Sequence, residues 1–451
     1  MAAMELLGKK PDRKIVVYFL TAIVIGTVLL SLPVSSTNGR ISFVDALFTS
    51  TSAVCVTGLT VLDTGKDFST FGQVVILLLI QFGGLGIMTL TTALLVSFMP
   101  RLSFKDRLIL ANTLGNDRKI SSTSLLKSVI AVTLAFELIG AVVLFALFSK
   151  GLPVDQAAFD AVFHSVSAFC NAGFSTFSDS LESFSGNVLV IAMFSFLIIC
   201  GGLGFIVIAE LFSLAVLRRG QLSLHCKLCL SLTGVLLVGG TIAFYFADFN
   251  NAFDEMGIIS GLANAFFQAV TARTAGFNTV PQAGLTEVSL VLTMILMFIG
   301  ACPGSTGGGV KATTFGIVML LAYNRFLGRN AVKAFRRSIS TDSVSRALTV
   351  ILIAVFIIVL MLVTLLVAEE KPLPHRMVHG WFGDNLFEVI SAFGTVGLSL
   401  GMTEHLHDFG KIIIILLMFI GRVGLLTLVL TLAHPPRKGE IVYVEEPVMV
   451  G

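Results

Sequence analysis

The chain has 451 residues, of which 55% are hydrophobic and only 13% charged, with a mean hydropathy of +0.94. A soluble domain carries about 25% charged residues, so this composition excludes an ordinary soluble fold and makes lipid the main solvent. The net charge of +3 says little by itself, and no nucleic-acid partner is expected.

The first apolar run, 15–32, is followed by no small-residue cleavage site, and the hydrophobic pattern continues beyond it. It predicts a membrane span, not a cleaved signal. A polar turn at 35–40 leads to 44–54, which is apolar and helically spaced but too short to cross a bilayer. After it come the loop Cys55-Val56-Thr57-Gly58-Leu59, a polar stretch to Ser69, and a second span over 72–98. An apolar segment of about 10–14 residues between two full spans predicts a re-entrant half-helix.

The same order recurs three times. Half-helices predicted over 156–169, 256–271 and 379–393 lead into Cys170-Asn171-Ala172-Gly173-Phe174, Arg273-Thr274-Ala275-Gly276-Phe277 and Gly394-Thr395-Val396-Gly397-Leu398. Second spans are predicted over 188–217, 288–321 and 412–432. Ten residues before each glycine stands a phenylalanine: Phe48, Phe163, Phe266 and Phe387. Three residues earlier comes Asp45, Asp160 or Asp384, with Ala263 in the third copy. These aspartates are expected at the starts of the half-helices, where carboxylates satisfy first-turn amides. One unit of roughly a hundred residues is therefore used four times, dividing the chain at 1–100, 101–222, 223–324 and 325–451.

Lys and Arg crowd into the N-terminus (Lys9, Lys10, Arg13, Lys14), 101–127, the Arg218/Arg219 pair with Lys227, 325–346, and the tail (Arg437, Lys438). The positive-inside rule puts all five in the cytoplasm, and both termini with them. The glycine loops then lie on the outer side among many acidic residues, including Asp63, Asp67, Glu404 and Asp408. These form either a mouth that concentrates cations or ordinary solvated loops.

The predicted fold is an all-α membrane protein of four helix–pore-loop–helix repeats. Eight spans and four re-entrant helices are arranged in pseudo-fourfold fashion around one central pore. Irregular backbone at membrane depth is tolerated only when buried or lining a wet cavity, and four equivalent loops fit most economically around one axis. Glycine lets backbone carbonyls face that axis with no side chain filling it, and a ring of carbonyls can replace an ion's hydration shell. Half-helices entering from outside also aim their negative dipole ends at the centre.

The third unit departs from the others. Its second span is interrupted at Gly300-Ala301-Cys302-Pro303-Gly304-Ser305-Thr306-Gly307-Gly308-Gly309, and apolar sequence resumes after Lys311. Glycines, a proline and two hydroxyl residues cannot hold a helix, so 300–311 predicts an unwound segment below the pore loops, either a gate or a plain kink. Arg422, inside the last span, is expected to find the freed carbonyls of 302–308; Lys311 either does the same or snorkels. Glu137, mid-span, is expected to contact a neighbouring helix. The six cysteines do not look like a disulfide set, and His225-Cys226-Lys227-Leu228-Cys229 lacks the second pair a zinc site needs.

The four loops resemble those of the Trk/Ktr/HKT superfamily of potassium transporters, and within it the Ktr-type membrane subunit. The resemblance rests on Thr57-Gly58-Leu59, Asn171-Ala172-Gly173-Phe174-Ser175, Arg273-Thr274-Ala275-Gly276-Phe277-Asn278 and Gly394-Thr395-Val396-Gly397-Leu398. It extends to the followers Gly83-Gly84-Leu85-Gly86, Gly201-Gly202-Leu203-Gly204, Met297-Phe298-Ile299-Gly300-Ala301 and Met418-Phe419-Ile420-Gly421-Arg422. It implies potassium uptake through filter carbonyls at Cys55–Gly58, Cys170–Gly173, Arg273–Gly276 and Gly394–Gly397, with 300–311 and Arg422 as the gate. Pro303 stands where a small residue is expected. The resemblance also implies a homodimer in the bacterial plasma membrane, surrounded by lipid and docked on a cytosolic RCK-type nucleotide-binding ring. That partner, not this chain, would bind ATP or ADP, and sodium dependence or sodium selectivity is the alternative within the same fold. An intramembrane enzyme is disfavoured: no HExxH, catalytic aspartate pair or nucleophile elbow appears, and one catalytic site does not call for four loops.

Overall fold

The computed structural model describes residues 11–98, 122–215, 221–369 and 380–424. Lys9 and Lys10, most of the 101–127 basic stretch, Arg218/Arg219, Arg437/Lys438 and the predicted end of the last span lie outside the described residues.

The first unit runs α1 (Pro11–Leu30), α2 (Phe43–Cys55) and α3 (Thr70–Phe98); the second runs α4 (Ser122–Phe148), α5 (Val154–Cys170), α6 (Val188–Leu203) and α7 (Phe205–Ala215). The third comprises α8 (Leu224–Ala247), α9 (Ile258–Thr271), α10 (Glu287–Phe298) and α11 (Ala312–Phe326). A two-residue hairpin, β1 (Lys333–Ala334) with β2 (Arg337–Ser338), leads to the fourth unit: α12 (Thr341–Ala368), α13 (Trp381–Gly394) and α14 (Asp408–Val423). That hairpin is a small departure from an all-helical chain.

The protein is a helical, multi-pass membrane protein. Among the described residues, four helices are long and apolar enough to cross a bilayer (in α3, α4, α8 and α12), and α6 with α7 makes a fifth if taken as one bent span. Eight were expected. The shortfall has local causes: α10 stops after 12 residues because the chain unwinds at Ile299, and α14 is followed only to Gly424. The expectation of an unbroken span over 188–217 is incorrect. The axis turns by 105° between α6 and α7 at Gly204, whose φ is +88°. Gly204 lies against Pro303 O, and Phe205 N–H donates to Gly304 O at 3.1 Å, so the third unit's loop occupies the bend.

The long helices keep their outer faces apolar and exposed, as at Val235 and Val238 on α8 and Leu352, Phe356 and Val363 on α12. That is the pattern a lipid-facing wall requires. The short helices α2, α5, α9 and α13 are instead buried along most of their length. Their starts differ from one another. Ser42 caps α2, accepting from Asp45 N–H at 3.1 Å while its hydroxyl donates to Asp45 Oδ2 at 2.7 Å. Asp45 Oδ1 also holds Lys411 Nζ of α14 at 2.6 Å, tying the first unit to the last. Asp384 does fall in the first turn of α13. Asp160 does not sit at the start of its helix as expected: α5 begins at Val154, and Asp160, a turn further in, accepts from Thr176 Oγ1 at 2.7 Å beyond the glycine loop.

Candidate functional site

Each short helix ends at or near a left-handed residue, which is the cap itself in α2, α5 and α13 and lies two residues beyond the cap Ala272 in α9. The residue two before the loop glycine takes a left-handed conformation: Val56 (φ 55°), Asn171 (59°), Thr274 (76°) and Thr395 (49°). Three of these are β-branched, for which this region costs about 1–3 kcal/mol, so the surroundings must hold them there. The N–H groups of Thr57, Ala172 and Val396 turn back to Ser52 O, Ser167 O and Ser391 O at 2.7–2.9 Å; in the third unit Ala275 N–H reaches Thr271 O at 3.0 Å. The hydroxyls of the same four residues pin the next stretch. Gly58 N–H and Gly397 N–H donate to Ser52 Oγ and Ser391 Oγ, while Ser167 and Thr271 donate to Phe174 O and Phe277 O. With the donors turned inward, the carbonyls of Thr57, Ala172, Ala275 and Val396 accept no hydrogen bond among the described residues.

The four glycines meet in cyclic order. A Cβ placed on Gly58 would lie 2.5 Å from Ala172 O, and one on Gly173 2.9 Å from Ala275 O. One on Gly276 would lie 2.4 Å from Val396 O, and one on Gly397 2.2 Å from Thr57 O. All four glycines have φ between 72° and 95°, so both the conformation and the close approach exclude a side chain. Above this ring opens a cavity of about 250 Å³, lined by the glycines, Thr60, Asp63, Ser175, Asn278, Ser399 and Glu404, among others. Burial works against the charge on Asp63. Hydrogen bonds from Ser178 and from the N–H groups of Lys66 and Gly65, with the Lys66 charge, nevertheless hold its carboxyl below the ordinary range.

Below the ring lies 300–311. Gly300 N–H donates to Val310 O at 2.9 Å and Ala312 N–H to Ala301 O at 3.1 Å, closing the neck of a loop. Its tip reaches the underside of the ring: positions for a Cβ on Gly307 and Gly308 lie 2.2 Å from Thr274 Oγ1 and from Thr395 Oγ1. Neighbouring units grip it. Cys302 N–H and Thr306 N–H donate to Gly202 O (3.0 Å) and Gly201 O (3.2 Å), and Gly309 N–H to Gly421 O (3.3 Å). Arg422, only 2% exposed, donates through one guanidinium nitrogen to Thr306 O and through the other to Gly83 O at 3.0 Å. Lys311 Nζ donates to Gly307 O at 2.6 Å. Pro303 occupies the place matching Gly86, Gly204 and Gly424 in the other units, and its carbonyl is what packs on Gly204.

The remaining candidates have other surroundings. Arg273 is buried with its guanidinium 3.4 Å from Thr233 Oγ1 on α8, so its side chain points away from the ring. Glu137 accepts from Gln81 Nε2 at 3.1 Å and lies 3.9 Å from Cys170 Sγ, between α3 and the second loop. Cys229 Sγ is 3.6 Å from His225 Nε2, and no metal-ligating cluster occurs among the described residues. Two side chains not anticipated from the sequence, His164 and Glu388, hydrogen-bond to Ser175 and Ser399 of the cavity wall. Aligning the four units on their glycines would have flagged them, since both stand nine residues before the glycine inside an apolar half-helix.

A family model described as TrkH, cation transport protein, matches residues 8–440. The chain is 39% identical over 445 residues to the potassium/sodium uptake protein NtpJ of Enterococcus hirae, covering 98% of this chain and 97% of that one. It is also 39% identical over 449 residues to the Ktr system potassium uptake protein B of Vibrio alginolyticus, covering 98% and 95%. Among solved structures, the potassium transporter TrkH from Vibrio parahaemolyticus matches with a TM-score of 0.70 at 21% identity, over 94% of this chain and 86% of that one. At that identity the last match speaks to the fold alone.

Proposed function

Because the chain belongs to the TrkH family of cation transport proteins, within the Trk/Ktr group, we propose that it takes up potassium through the ring of four glycine loops. The observation that carries this reading is the cyclic contact Gly58–Gly173–Gly276–Gly397, with carbonyls that accept from no donor among the described residues. Unpaired carbonyls crowded around one axis are costly unless something positive takes the place of water there. In this reading the four repeats stand pseudo-fourfold around the pore, and Cys55–Gly58, Cys170–Gly173, Arg273–Gly276 and Gly394–Gly397 form the filter, with potassium at their carbonyls. Segment 300–311, seated against Thr274 and Thr395, is the gate; Arg422 holds it shut, and Lys311, bonded to Gly307 O within the segment, keeps its tip folded. The relatives named for potassium uptake support the choice of ion.

The assembly around the pore belongs to the same proposal. Both termini face the cytoplasm of a bacterial plasma membrane, two copies pair, and a cytosolic nucleotide-binding ring acts on the gate. Transport of sodium, or coupling to it, is the second reading, favoured by the name of the Enterococcus relative, a potassium/sodium uptake protein. Purified protein in liposomes with potassium or sodium as the only permeant ion separates the two. Uptake of potassium without sodium supports the first reading; uptake of sodium, or of potassium only when sodium is added, supports the second; no uptake with either ion or with both together refutes both.

A further inference from the structure

Two of the four units carry an ionisable side chain behind the cavity wall, at matching places. Nine residues before the loop glycine, α5 has His164 and α13 has Glu388; both are fully buried. Two residues after the glycine, the same units have Ser175 and Ser399, which line the outer cavity. Units one and three have Thr49 and Phe267 at the first place and Thr60 and Asn278 at the second, and Thr49 Oγ1 has no hydrogen-bond partner among the described residues.

The direction of each hydrogen bond follows from its partners. His164 Nδ1 lies 2.7 Å from Asp160 O, and a carbonyl can only accept, so Nδ1 carries the proton of the neutral ring. Nε2, 2.9 Å from Ser175 Oγ, is then an acceptor, and Ser175 gives it its one hydroxyl proton. The other acceptor near Ser175, Ser180 O, is farther away at 3.4 Å. Phe177 N–H donates to Ser175 Oγ at 3.0 Å, which leaves one oxygen lone pair unused.

Unit four repeats this with different chemistry. Glu388 Oε2 accepts from Ser399 Oγ at 2.9 Å, and Oε1 takes the proton of Thr403. Gly401 N–H donates to Ser399 Oγ at 3.0 Å. An imidazole in one unit and a carboxylate in the other thus draw a serine proton away from the cavity. Both serines receive an N–H from two residues further on. Thr403 Oγ1 also lies 3.2 Å from Ser399 Oγ, but its one proton goes to Glu388 Oε1, so both serines keep a lone pair. In the cyclic order of the ring, units two and four face each other across the axis.

We infer that His164 and Glu388 are positioning residues that aim the oxygens of Ser175 and Ser399 from opposite sides at an outer site for a monovalent cation, ahead of the glycine ring. The inference rests on the pore reading above. A hydroxyl whose proton is committed elsewhere presents only negative charge, whereas a free hydroxyl can turn its proton toward the cavity and repel the ion. The use of two different acceptors indicates that acceptance, not a particular charge, is what the position requires.

The test uses the full-length protein in liposomes with potassium as the only permeant cation. Ser399→Ala should raise the apparent KM for potassium about tenfold, a larger change than any fall in maximal rate, whereas Ser399→Thr should keep KM near the starting value. Glu388→Gln gives two hydroxyls one acceptor and should raise KM roughly threefold, but should add nothing in the Ser399→Ala background, because it acts through that serine. Ser175→Ala is the parallel change should Glu388→Gln not assemble. Unchanged KM in both serine-to-alanine variants, or effects of Glu388→Gln and Ser399→Ala that simply add, would overturn the inference. If Gly58→Ser still alters potassium over sodium uptake in that case, the pore reading stands without the outer site. If Gly58→Ser changes nothing, the pore reading fails and this inference with it.

Discussion

Replacing Arg422 by alanine tests the gate most directly. The guanidinium is buried and bridges Thr306 O of the loop to Gly83 O of α3, across two units. Hydrogen bonds from a charged donor contribute about 1.5–3 kcal/mol each, although desolvating the cation offsets part of that gain. Only the Thr306 bond restrains the loop; the Gly83 bond anchors the arginine. The expected loss of restraint is therefore about 2 kcal/mol, roughly a thirtyfold rise in the ratio of displaced to seated loop. Potassium flux per reconstituted protein should rise, up to the ceiling set by a fully open pore. Arg422→Lys keeps the charge, but its compact head cannot span both carbonyls, so it should fall between wild type and Arg422→Ala. Flux that stays level or drops in Arg422→Ala, with an unaltered thermal unfolding midpoint, would refute the assignment of 300–311 as the gate.

Deleting Ser305–Gly308 removes the tip that meets Thr274 and Thr395 and should raise flux in the same assay; a silent protein of normal stability would count against a gate. Gly58→Ser places a side chain 2.5 Å from Ala172 O at a φ of +90°, so potassium uptake should lose ground to sodium when the two compete. Gly201→Ala would put a methyl group 1.9 Å from Phe169 O and should lower stability by about 2 kcal/mol or more, read as a drop in melting temperature in detergent.

Much of this was legible in the amino-acid order because it depends on local chemistry. The half-helices end at glycine loops because the last turn exhausts its apolar run, and the helices found at Val154–Cys170 and Trp381–Gly394 lie within two residues of the spans predicted there. The broken helix at 300–311 follows from its glycines and Pro303 in the same way. What could not be read was caused from elsewhere in the chain. Gly201-Gly202-Leu203-Gly204 weakens the helix within 188–217 but does not by itself dictate a bend; at Gly204 the chain is met by Pro303 and Gly304, about a hundred residues later. Asp160 looked like a cap because its siblings are near helix starts, yet α5 begins earlier and Thr176 claims its carboxylate. His164 and Glu388 escaped notice because each is one of several polar residues in its half-helix, and only the fold brings each to its serine.

The contact of Gly397 with Thr57 and Gly58, reinforced by Lys411 on Asp45, joins the fourth unit to the first. During synthesis, three quarters of the circle would stand with bare peptide groups open to hydrocarbon until the final repeat arrives, a state that lipid tolerates badly. The C-terminal repeat is thus a clasp. A chain cut off before this unit should leave the circle open and be destroyed by membrane quality control.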